Sequence, residues 1–115
     1  MRKLSIIIAA MALAGCFASS KAPKPSQRDL ARVEGKFSGY TLAQLNEGRE
    51  LYKQHCGNCH GLKSPSSESE AEWKEIVPDM AKRANKNGVV INAPSEKLIL
   101  KYLITMSGSV PASRH

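Results

Sequence analysis

The sequence predicts an all-α fold in which about three helices occupy residues 40–115. Two stretches, Thr41-Leu42-Ala43-Gln44 and Ser69-Glu70-Ala71-Glu72, place a hydroxyl three residues before an amide or carboxylate side chain, the pattern of an N-terminal capping box. Each opens a run with apolar residues three and four apart, the period of a helix face. A third apolar run extends from Ser95, a candidate N-cap, to Ser107, with Gly108 in the C′ position.

The 115 residues leave room for one domain. Residues 1–15 read as an export signal, with Arg2 and Lys3 ahead of a short apolar run from Leu4 to Ala14. That run is too short to span a bilayer. It ends in Leu13-Ala14-Gly15-Cys16, which resembles the lipobox of bacterial lipoproteins. The resemblance implies that Cys16 is acylated and becomes the mature N-terminus; the competing reading is an ordinary secretory peptide cut near Ala14 or Ala18. Each buried methylene contributes about 0.8 kcal/mol, so two or three acyl chains anchor a protein without a spanning helix. Phe17, where an Asp is absent, points by the same resemblance to the outer membrane of a diderm host, with the protein facing the periplasm.

Residues 16–39 are expected to form the lipidated N-terminus and a flexible tether. Ser19, Ser20, Pro23, Pro25, Ser26, Gly35, Ser38 and Gly39 break any sustained apolar period, and a mobile segment of this length extends to roughly 80 Å. Lys21, Lys24, Arg28, Arg32 and Lys36 outnumber Asp29 and Glu34, which suits solubility or weak attraction to anionic lipid. Signal and tether hold most of the formal +7 charge. With no basic helix carrying interleaved aromatics, no nucleic-acid partner is expected.

The first predicted helix runs from Thr41 to about Gln54, with Leu45, Gly48, Leu51 and Tyr52 on one face. Gly48 costs about 1 kcal/mol against Ala there, a cost explained if another helix crosses close to its backbone. Gly61 to Ser69 is a polar loop. The second helix carries Trp73, Ile76, Val77, Met80 and Ala84 along one side, and Pro78 either kinks it or marks a restart. Acidic residues at its front and Lys82, Arg83 and Lys86 at its rear suit the helix dipole. Asn85 to Pro94 is a connector with a turn at Asn87-Gly88, and its apolar Val89-Val90-Ile91 is either a cofactor-edge wall or a stray strand. The third helix is apolar on most faces, as a helix covered from more than one side requires.

Cys56-Gly57-Asn58-Cys59-His60 carries the chemistry. Two thiols three positions apart with a histidine directly after the second form the attachment signature of a c-type haem. Each thiol can add to one vinyl group of the porphyrin, and the adjoining imidazole is held at the iron as an axial ligand. A thioredoxin-like dithiol would want a strand before the motif, and a zinc site a second ligand pair, for which His55 and His115 are poor substitutes. Neither context is present.

At this motif the chain resembles the short monohaem c-type cytochromes, class I-like, over about residues 40–115. Gly48 and Tyr52 before the motif, the Trp-x-x-x-Val-x-x-Met pattern from Trp73 to Met80, and Tyr102-Leu103 in the last helix carry the likeness. The resemblance implies a cytochrome c-like fold wrapped around one covalent haem, with crossing N- and C-terminal helices. It implies Cys56 and Cys59 as attachment points and His60 as first axial ligand. For the sixth position only Met80 and Met106 follow the motif; the family pattern implies Met80, and Met106 remains the alternative. A Met on an apolar face also serves as ordinary core.

A filled sixth position makes the protein a carrier of single electrons between exported redox proteins, alone or as the electron-transfer subunit of an oxidoreductase; an open or labile one makes it a haem-based gas or redox sensor. A non-haem thiol protein is the third reading. No catalytic set of histidine, carboxylate and arginine is recognisable, so no enzyme activity and no small-molecule substrate are expected. The partners expected are a redox donor, a redox acceptor and the membrane.

Overall fold

Four helices build the computed structural model, which describes residues 21–56 and 62–108: α1 Gln27–Arg32, α2 Leu42–Cys56, α3 Glu70–Lys86 and α4 Ala93–Ser107, with a 3-10 turn at Pro65–Ser67. No strand occurs among the described residues, so their architecture is all-α. None of their helices is long and apolar enough to cross a membrane.

Capping fixes where α2 and α3 begin. The Thr41 hydroxyl accepts the Gln44 amide at 3.1 Å while the Thr41 amide donates to Gln44 Oε1 at 3.0 Å. Ser69 and Glu72 repeat the exchange at 3.1 and 2.7 Å, satisfying amides that a helix start leaves without partners. α3 passes through Pro78 without restarting. Pro78 is exposed, so the Lys74 carbonyl that its ring deprives of a partner faces a side where water can bind. At the far end Gly88, at φ +89°, lets the Val89 amide reach the Ala84 carbonyl at 2.8 Å and the Gly88 amide reach Asn85 at 3.2 Å. These are the two bonds of a Schellman cap.

α4 starts earlier than Ser95. Asn92 is its N-cap, with Oδ1 accepting the Ser95 amide at 2.8 Å, and Pro94 fits in the first turn because an amide there needs no helical partner. Its end at Ser107 matches the sequence reading, although Gly108 is the cap residue at φ −82° and not a left-handed C′ glycine.

α4 is the centre of the molecule, packing on α1, α2 and α3. Ile99, Tyr102, Leu103, Ile104 and Met106 are buried on it. They meet Leu45 and Tyr52 of α2 and Trp73, Val77 and Ala81 of α3 in one core. The expected crossing falls at Gly48, where a Cβ would collide with the Leu98 carbonyl oxygen and sit 2.9 Å from Tyr102 Cβ.

The expectation of a mobile tether does not describe residues 21–39. Ala22, Pro25 and Val33 are buried there, and Leu30 and Phe37 pack on the core. Ser26 and Asp29 form a capping box for α1. The Ala22 carbonyl accepts Arg49 Nε at 2.7 Å and the Pro23 carbonyl accepts the Tyr102 hydroxyl at 2.8 Å. Prolines and glycines broke the apolar period, but packing here depends on isolated apolar side chains and on backbone carbonyls that meet donors far along the chain.

Candidate functional site

α2 ends on Cys56, and its last turns bring Tyr52, His55 and Cys56, spaced three and four apart, to one side. α3 turns Trp73, Ile76, Met80, Arg83 and Ala84 toward them at the same spacing. Between the two helices lies a cavity of about 410 Å³. Leu62 and Lys63 border it from the loop, and Asn87 and Ile91 from the connector. Its volume falls in the range of about 300–1,000 Å³ typical of small-molecule and cofactor sites. Cys56, Met80 and Ile91 also border a second, small void of about 10 Å³.

Two aromatic side chains fix the loop that follows the Cys-x-x-Cys-His stretch. The Tyr52 hydroxyl donates to the Lys63 carbonyl at 2.5 Å and accepts the Lys63 amide at 3.0 Å. Trp73, fully buried, donates from Nε1 to the Pro65 carbonyl at 2.8 Å. The two rings meet edge to face, their centroids 6.4 Å apart, a favoured geometry for aromatic pairs. Burial pushes the Tyr52 hydroxyl up to about 12, although the Lys63 backbone bond opposes the rise.

Lys63 and Arg83 contribute positive charge to the cavity lining. Lys63 Nζ lies 2.6 Å from Glu68 and Arg83 Nε 3.1 Å from Asp79. Among the described residues no three His, Cys, Asp or Glu side chains group as a metal site would need.

Of the site residues read from sequence, Cys56 and Met80 line the cavity together, both half-buried. Met106 is 3 % exposed in the α4 core and is not part of the lining. Cys59, His60 and Cys16 lie outside the described residues. In the Val89-Val90-Ile91 patch, Ile91 is buried and forms cavity wall, Val90 is exposed, and no strand forms. The sequence reading did not place Arg83 or Asn87 at the site, although both continue the periodic face of Trp73, Ile76 and Met80. His55, a poor zinc ligand by its sequence context, shares the last turns of α2 with Cys56 and lines the same cavity.

No family model matches this chain, and neither a curated protein nor a solved structure matches it.

Proposed function

We propose that the protein is a membrane-tethered monohaem c-type cytochrome that passes single electrons between exported redox proteins. The observation that carries this reading is the cavity between α2 and α3, with Cys56 and Met80 both on its wall. The donor set suits a covalent haem: a thiol at the end of α2 for one vinyl group, a thioether across the cavity for the iron, and apolar walls from Leu62, Trp73, Ile76 and Ile91 for the porphyrin. Cys59 and His60 complete the attachment and the proximal ligation in this reading, within a small cytochrome c-like fold.

When bound, the haem supplies a one-electron couple whose potential a thioether ligand raises relative to two nitrogens. The chain's own residues set its surroundings. Trp73 and Ile91 exclude water from the wall, and low polarity there disfavours the more highly charged oxidation state. Lys63 and Arg83, both on the lining, would offer positive charge to the carboxylates of a bound porphyrin. Tyr52 and Trp73 hold the loop in place through Lys63 and Pro65, which would keep the wall fixed around a bound haem.

Carbon monoxide binding to the reduced protein tests this reading against a sensor with an open sixth position. Met80 ligation predicts little or slow binding; rapid stoichiometric binding favours the sensor.

A further inference from the structure

The lipid-anchor reading rests on Cys16, and among the described residues the first buried one after it is Ala22. Ala22 is 2 % exposed, and its carbonyl is held by Arg49 at 2.7 Å, a charge-assisted bond. The next carbonyl, of Pro23, is held by Tyr102 at 2.8 Å. From there the chain stays on the head: Val33 is buried, Arg32 donates to the Thr105 carbonyl at 3.3 Å, and Lys36 pairs with Glu70 at 3.0 Å. Only residues 17–21 separate the acylated position from this docked strap. Six residue steps span at most about 20 Å, whereas a tether running to residue 39 would reach roughly 80 Å.

We propose that residues 22–40 are a strap that keeps the head at the surface of the bilayer holding its anchor. Given Cys16 acylation, the partner surface is the lipid headgroup layer, and the head meets redox proteins there instead of sweeping through the space beyond. Lys21 and Lys24, exposed on either side of Ala22, lie within reach of the headgroups. The strap's partners Arg49, Glu70, Tyr102 and Thr105 are none of the residues that line the cavity, so docking leaves the cavity uncovered by the strap.

Two measurements on the holoprotein as matured in a lipoprotein-processing host test this. In neutron reflectometry on supported phosphatidylcholine bilayers, protein density should begin within about 20 Å of the headgroups. Hydrogen exchange on the same protein should show amides bonded within α1 and the following turns, such as Leu30 and Lys36, protected against free exchange. A density layer starting well beyond about 20 Å, or free exchange throughout residues 22–40, overturns the strap. Protein that fails to associate with the bilayer while those amides stay protected instead overturns the Cys16 anchor, and the surface apposition with it.

Discussion

The Tyr52 hydroxyl bonds twice to Lys63, donating to its carbonyl and accepting from its amide, and so ties the last turns of α2 to the chain beyond the Cys-x-x-Cys-His stretch. Tyr52→Phe keeps the ring and removes both bonds. It should cost about 1–2 kcal/mol in denaturant unfolding of the holoprotein, and a variant as stable as wild type would show that the tie contributes nothing.

Burial also gives the protein an alkaline limit. Burial pushes Tyr40 and Tyr52 each up to about 12 and raises Tyr102 as well. Below pH 10 folded and unfolded chains both keep these protons. From about pH 10 the unfolded chain releases them while the folded chain holds them, so stability falls as pH rises to about 12, by up to ~1.4 kcal/mol per pH unit for each tyrosine. Urea midpoints measured across pH 9–12 check this, and Tyr52→Phe should make the decline shallower.

Gly48→Ala improves helix propensity by about 1 kcal/mol, yet its Cβ would strike the Leu98 carbonyl and crowd Tyr102. Overpacking of about 1–3 kcal/mol should win, and a lower Tm is the expected result.

Met80 and Met106 should separate cleanly. Met106→Ala empties a core position and should cost about 2–5 kcal/mol while the weak charge-transfer band of thioether-ligated ferric haem persists. Met80→Ala should abolish the band. Loss of the band only in the Met106 variant would reverse the ligand assignment.

The parts of this fold that were legible in sequence are those encoded by neighbours. Thr41 with Gln44 and Ser69 with Glu72 specify helix starts within four residues, and the Trp73-to-Met80 face repeats with the helix period. Gly48 was legible as a close approach because its propensity cost needed an explanation. The start of α4 was misplaced because Asn92 caps across a proline, and Pro94 read as the end of a loop. The docking of Ala22 and Pro23 left no local trace: their carbonyls meet Arg49 and Tyr102 from distant parts of the chain. Arg83 was read as a dipole partner because its charge hid its place on the cavity face.

Covalent haem at Cys56 and Cys59 is tested by the absorption spectra, in both oxidation states, of wild-type protein produced with haem-maturation machinery, recorded first on the native and then on the denatured chain. The native protein should give low-spin spectra, and the haem absorption should stay with the unfolded chain. A chain that carries no covalently bound haem would contradict that attachment.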